Sequence, residues 1–243
     1  MATRNGRVVL ITGGNKGLGR EIGRQLGALG YTVVLAARDE QAGNAAAAEL
    51  KAAGYDAHTV RLEVTNPDDI ANLANSIEKR FGRLDVLVNN AGIALEWDGK
   101  PTSADKVRRT LEVNLIAPFA VTEALVPLLS RSDDARVINQ SSMLGSLGSG
   151  ETMWDQIGGF MTVGYSTSKA GLDMLTVIQS KTLASRGIVV AASHPGWVKT
   201  DLGSQAAPME VDEGALTAVE LVTMPREQFP NGWLVHKGQR IPW

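Results

Sequence analysis

The chain has no cysteine and only three histidines, and aromatic residues make up just 5% of it. Without cysteine there is no disulfide framework, no thiolate nucleophile and no Cys-based zinc site, so no metal centre is expected. The absence also suits a reducing compartment. A large charge of one sign is missing too. At −2 the net charge provides no basic excess to bind nucleic acid or an anionic membrane surface. No window approaches the roughly 18 consecutive apolar residues expected of a membrane span. The opening MATRNGRVVLITGG runs directly into a strand-like segment, leaving no room for a signal peptide's charged region, apolar region and cleavage site. A cytoplasmic location is therefore expected, with neither nucleic acid nor membrane as a partner.

What remains is an ordinary globular composition, 44% apolar and 21% charged over 243 residues. One core can serve a chain of this length, so a single domain over residues 1–243 is expected. Arg7 to Thr12 is a β-branched and aliphatic run ending in glycines, the pattern of a strand buried on both faces. Leu18, Ile22 and Leu26 then recur every four residues, which predicts a helix closed by Gly30. The alternation repeats: strand 31–36, helix 39–53, strand 57–62, and helix 67–81 opened by Asn66 as N-cap and Pro67 at its first position. Strand 84–89, helical stretches over 103–130, strand 136–140, a long helix over about 164–185 and strand 188–192 follow. Strict βα alternation predicts a doubly wound α/β fold, a parallel sheet with helices on both faces. Two irregular stretches, 142–163 and 195–210, come after strand ends, where open α/β sheets bind ligands.

The turn between the first strand and first helix reads Thr12-Gly13-Gly14-Asn15-Lys16-Gly17-Leu18-Gly19. It departs from G-x-G-x-x-G and lacks the Gly-Lys-Ser/Thr of a P-loop. Its glycines still allow a tight turn and let a pyrophosphate reach bare amides at a helix N-terminus. Gly13, Asn15, Lys16, Gly17, Leu18 and Gly19 are thus expected to hold a dinucleotide. At the end of the second strand stands Ala37-Arg38 in place of an acid. An acid there would accept from a ribose 2′-hydroxyl and repel a 2′-phosphate, whereas Arg38 with Lys16 favours the phosphate. The expected cofactor is NADP(H).

Further along come Asn89-Asn90-Ala91-Gly92, Asn114, Ser142-Met143-Leu144-Gly145, Tyr165-Ser166-Thr167-Ser168-Lys169 and His194-Pro195-Gly196. In this order, after TGxxxGxG, they resemble the short-chain dehydrogenase/reductase family over nearly the whole chain. The stretch from His194 to Asp201 and the ending Gly232 to Trp243 are similar to its carbonyl-reductase-like members. The resemblance implies a single Rossmann-like sheet and a catalytic set of Asn114, Ser142, Tyr165 and Lys169. The residues support this directly. Tyr165 and Lys169 are four apart and so share one helix face. An adjacent ammonium would draw the phenol's pKa down toward neutrality, making Tyr165 the proton donor. Ser142 would hold the carbonyl oxygen, with Ser141 beside it as rival; the family's Ser-x-x-Gly selects Ser142. By resemblance, Lys169 also binds the nicotinamide ribose, and Asn114 holds a water in a proton relay. Asn90 sits by the adenosine ribose, Val198 and Thr200 grip the carboxamide, and Glu63-Val64 flank adenine where the family usually has Asp-Val. His194, with no second His or Cys near it in sequence, reads as a packing or backbone-bonding residue.

Ser142 and Tyr165 lie 23 residues apart, longer than the family's common spacing. The insertion carries Leu144, Leu147, Met153, Trp154, Ile157 and Phe160. These either cover a substrate or pack the loop against the body, and Trp97 and Trp197 could form further walls. With no cation placed for a carboxylate or phosphate, the expected activity is NADPH-dependent reduction of a neutral, apolar ketone or aldehyde. The alternatives are a ketoacyl-carrier reductase, a sugar or steroid alcohol dehydrogenase, or a non-catalytic NADP-binding sensor. A monomer or weak homodimer is expected, because carbonyl reductases with a long insertion before the tyrosine can be monomeric.

Overall fold

The structure is a computed structural model, and it describes residues 5–149 and 162–243. Among these, eight strands form one sheet: β1 Val8–Thr12, β2 Thr32–Ala37, β3 Ala57–Arg61, β4 Val86–Asn89, β5 Ala135–Gln140, β6 Ile188–Ser193, β7 Leu234–His236 and β8 Gln239–Ile241. Their order is β3-β2-β1-β4-β5-β6-β7-β8. The pairings from β3 to β7 are parallel, with Ile11 opposite Leu35 on one side and Val88 on the other. The doubly wound parallel sheet expected from the sequence is present, with one antiparallel addition at its edge, where β8 pairs with β7.

Side chains alternate along each strand and so build two apolar layers. Val8 and Leu10 face one layer with Leu73, Ile77, Val121 and Leu125. Val9 and Ile11 face the other with Ile22, Leu26, Ala215 and Leu221. Each such aliphatic side chain, when fully buried, contributes about 1.5–3 kcal/mol. The layers are closed by α1 Gly17–Ala28, α2 Glu40–Ala52, α3 Pro67–Phe81, α4 Ala104–Leu111, α5 Ala117–Leu129, α6 Val163–Thr182 and α7 Val211–Thr223. The capping of α3 is as read from the sequence: the Asn66 side chain accepts from the amides of Asp68 and Asp69, Pro67 follows, and Gly82 ends the helix at φ 72°. A π-helical turn, Glu112–Ile116, joins α4 to α5. The joined helix Ala104–Leu129 has a mean hydropathy of 1.5 over its most apolar window, long and apolar enough to cross a membrane by length and composition. That corrects the expectation that no segment would come close. Its apolar content has a core explanation: Ala117, Val121, Leu125, Leu128 and Leu129 are buried in the first layer.

The strand order reverses direction between β1 and β4. A crevice opens at such a point beyond the strands' C-terminal ends. The glycine turn after β1, Asn90–Gly92 after β4, Ser142 after β5 and the 195–210 stretch after β6 all emerge there.

Candidate active site

At the β1–α1 turn Gly13 and Gly17 hold φ of 63° and 52°, left-handed values that a side chain disfavours. Lys16, the α1 N-cap residue, makes no side-chain capping bond, and the first turn contains no acid. The first α1 amides are therefore orphan donors at the positive end of a helix, a fitting cradle for a pyrophosphate. Thr12 and Asn90 lace the turn to β4. The Thr12 hydroxyl accepts from the amides of Asn90 and Ala91 at 3.0 Å each, and Asn90 Nδ2 donates to the carbonyls of Thr12 at 2.9 Å and Gly13 at 3.3 Å. Asn90, expected beside the ribose, thus braces the turn through its amide nitrogen.

Asn15 and Leu18 are half-buried in the turn, and Arg38 is exposed just past β2 with no ion pair among the described residues. Lys16 Nζ instead reaches Asp201 Oδ2 at 2.5 Å, an exposed pair. Such pairs hold weakly, so Lys16 remains available to an incoming phosphate. Glu63 accepts from the Thr65 hydroxyl at 3.2 Å, and Val64 beside it is buried. Thr200 leans over the glycine turn, 3.6 Å from where a β-carbon on Gly17 would sit, while Val198 is buried and bridges to Met209. The residues read from the sequence as dinucleotide contacts therefore sit at or just beyond the C-terminal ends of the strands.

The second cluster adjoins it. Ser142 follows β5, and its Oγ accepts from the Leu144 amide at 3.2 Å. The turn packs so closely on α6 that a β-carbon on Gly145 would come 2.5 Å from the Ala170 amide, which gives the Ser-x-x-Gly pattern its physical reason. Tyr165 and Lys169 rise from α6, both buried, and the Ser142 hydroxyl acts to lower the Tyr165 phenol. Lys169 Nζ donates to the Gln140 carbonyl at 2.7 Å and stands 5.5 Å from the Tyr165 ring centre. Asn114, wholly buried on the π-helical turn, accepts from the Ile93 amide at 2.9 Å and donates to the Ile93 carbonyl at 2.9 Å and to Ser168 Oγ at 3.0 Å. Such π-turns recur at functional sites. A β-carbon on Gly92 would lie 3.4 Å from Asn114 Oδ1 and 3.8 Å from Lys169 Nζ, so the two face the same small space.

The electrostatics differ from the expectation in one respect. Burial pushes the Tyr165 phenol up to about 12, with the Ser142 hydroxyl only partly opposing it, and Lys169 is not among the groups that lower it. The ammonium is turned toward Gln140. Burial also brings Lys169 down to about 8, against the pull of Asp173.

Asp173, absent from the sequence reading, lies one further helical turn from Lys169 and is buried; burial raises its carboxyl to about 7, opposed by Ser141 and Lys169. The spacing of 165, 169 and 173 could have revealed it. Glu96 and Trp97 were not readable as neighbours of Tyr165, being far away in sequence; the Trp97 ring lies 4.8 Å from that of Tyr165. His194 accepts from the Met143 amide at 3.4 Å, as a backbone-bonding residue should, but it does have a histidine nearby: His236, with ring centres 4.9 Å apart. Burial, with His236 adding to it, brings His194 down to about 3, a neutral ring. Of the insertion, Leu144 and Leu147 are described, and Leu147 is 83% exposed. Met153, Trp154, Ile157 and Phe160 fall outside the described residues.

The sequence profile of the short chain dehydrogenases matches residues 7–211. The chain belongs to this family. It is a short-chain dehydrogenase 34% identical to NADPH carbonyl reductase 3 of Rattus norvegicus, over 94% of this chain and 95% of that one. It is 30% identical to (+)-neomenthol dehydrogenase of Arabidopsis thaliana, over 98% of this chain and 99% of that one. The crystal structure of NADPH-bound carbonyl reductase from chicken fatty liver superposes with a TM-score of 0.86 at 30% identity, covering 100% of both chains. This short-chain dehydrogenase is accordingly an oxidoreductase of the Rossmann-like type whose relatives include carbonyl reductases.

Proposed function

We propose that this short-chain dehydrogenase is an NADPH-dependent carbonyl reductase that converts a neutral, apolar ketone or aldehyde into its alcohol. The observation that carries the reading is the convergence of a serine hydroxyl, a protonated phenol and a lysine on one crevice beside an uncapped helix N-terminus. The orphan amides of α1 would hold the pyrophosphate, and Arg38 and Lys16 the 2′-phosphate. Lys169 would hold the nicotinamide ribose, and Val198 and Thr200 the carboxamide. Bound there, NADPH supplies the hydride that reduces the carbonyl carbon.

The chain's own residues do the rest. Ser142 donates to the carbonyl oxygen and shares its growing negative charge. Tyr165 passes its phenolic proton to that oxygen, breaking its own O–H bond as the alcohol O–H forms. With a phenol held at about 12 and a lysine at about 8, both are protonated near neutral pH, the state reduction requires. The proton is then returned to the phenolate from solvent past Lys169 and Asn114. The Trp97 ring against Tyr165 offers an apolar wall, which favours an uncharged substrate.

The test is NADPH consumption by the purified protein against a panel of aromatic and alicyclic ketones and aldehydes, charged analogues, sugars and steroids. The expected result is turnover confined to the neutral apolar carbonyls. Binding of NADPH without turnover of any of them would leave a cofactor-binding sensor and overturn the reading.

A further inference from the structure

The helix that carries Tyr165 begins without a cap of its own. Thr162 at its N-cap position makes no side-chain hydrogen bond to the helix, and no acid stands in the first turn. Its opening amides would otherwise be orphan donors. They are met instead from another part of the chain: Gly164 N donates to Glu96 Oε2 at 2.6 Å and Tyr165 N donates to the same oxygen at 3.1 Å. The other carboxylate oxygen, Oε1, accepts from the Thr102 hydroxyl at 2.6 Å.

Glu96 is only 8% exposed. Burial alone would raise its carboxyl, but the hydrogen bonds from Thr102 and from the amides of Tyr165 and Gly164, with the Thr162 hydroxyl acting the same way, outweigh that and hold it below the usual range. It is therefore a charged cap on a helix N-terminus, the strong form of such a bond. The fit leaves no spare room. A β-carbon on Gly164 would come 2.8 Å from Glu96 Oε2.

The turn that bears Glu96, Leu95–Trp97, is fastened on both sides. Upstream, Ile93 exchanges two hydrogen bonds of 2.9 Å with the Asn114 side chain, and downstream Asp98 pairs with Lys106 at 2.7 Å. Next to Glu96, the Trp97 ring packs on Tyr165. One short turn thus holds the tyrosine by its backbone amide and by its ring.

We infer that Glu96 is a positioning residue for the proton donor, fixing the first turn of α6 so that the Tyr165 hydroxyl meets the substrate oxygen. The inference rests on the reductase reading above. Glu96 acts through Tyr165 and touches neither substrate nor cofactor. A displacement of about 1 Å at a reacting group costs on the order of 10²-fold in rate. Lys169 lies a full turn deeper in the helix, so the cofactor contacts should survive the loss of the cap.

The experiment compares wild type, E96A and E96Q for kcat, carbonyl KM, NADPH Kd by fluorescence titration, and melting temperature. E96A should lose about 10- to 100-fold in kcat with NADPH Kd little changed. E96Q should recover most of it, because the amide oxygen can accept from Gly164 and Tyr165 while its NH2 donates to Thr102. A wild-type kcat in E96A overturns the inference. So does an E96Q as impaired as E96A, or a parallel loss of kcat, NADPH binding and melting temperature. If E96A does not fold, Thr102→Val decides by the same split, a several-fold lower kcat at constant NADPH Kd supporting it and an unchanged kcat refuting it. A wild-type protein inert toward every carbonyl would instead be a failure of the reductase reading.

Discussion

Tyr165→Phe separates chemistry from architecture more cleanly than any other substitution here. The phenol ring is 7% exposed and packs against Trp97 at 4.8 Å, with Lys169 Nζ 5.5 Å from its centre, and phenylalanine keeps all of this. Only the hydroxyl and whatever hydrogen bonding it has with Ser142 are lost. A buried neutral hydrogen bond contributes about 1 kcal/mol net. For a chain of 243 residues that corresponds to a fall in melting temperature of roughly 2–4 °C. General acid catalysis contributes about 10²- to 10⁴-fold, and at about 1.36 kcal/mol per decade that is roughly 3–5 kcal/mol of barrier. The catalytic loss therefore exceeds the structural one several-fold. The assay pairs NADPH titration by fluorescence with steady-state turnover of a reactive aldehyde and a thermal melt. The expected variant binds NADPH normally, melts within a few degrees of wild type and is nearly inactive. Turnover close to wild type would show that another group supplies the proton and would refute the mechanism.

Three further substitutions test the reading. Arg38→Asp should lower kcat/KM for NADPH by about 10- to 100-fold and raise that for NADH, since one or two charge-assisted contacts to the 2′-phosphate are replaced by repulsion; a wild-type preference for NADH would defeat the premise. Asp173→Asn removes the charge that supports protonated Lys169, so the lysine, already at about 8, falls further. The alkaline limb of the kcat/KM pH profile should then move to lower pH, and an unmoved limb would mean that Lys169 is not the group titrating there. The same substitution bears on stability. The Asp173 carboxyl is raised to about 7 from an ordinary 3.8, so the folded state holds its proton longer and wild-type stability should decline as pH rises between those values. The Asn variant should show a flatter dependence in denaturant melts. Asn66→Ala removes the side chain that caps α3; it should cost about 1 kcal/mol of stability and leave kcat unchanged.

Much of the molecule follows from local rules. The runs that became β1, β2, β4 and β6 are buried almost throughout and so read as largely aliphatic segments, and the Asn66-Pro67 start of α3 is written in its capping chemistry. Tyr165 and Lys169 could be paired from sequence because helical periodicity alone puts residues four apart on one face, and Asp173 obeys the same rule. Helix α7 has no side-chain cap to mark its start, and β7 and β8 are only three residues each, too short for a period of two to register. The antiparallel turn of β8 is a matter of pairing, which no single strand records. The turn that bears Ser142 is brought against α6 only because the chain after β5 packs on that helix through Gly145.

Other features were decided by tertiary structure alone. Glu96 caps a helix that begins 67 residues further on, and His236 comes to stand beside His194 from a different strand. The ionisation of the site was decided there as well. Adjacency in sequence suggests that Lys169 lowers the Tyr165 phenol, but the fold buries both and turns the ammonium toward the Gln140 carbonyl, so desolvation outweighs the expected attraction. Periodicity and capping are properties of a segment, and the sequence by itself determined those. Burial, and with it the charge state of each group, depends on which segments meet, and that only the folded chain could decide.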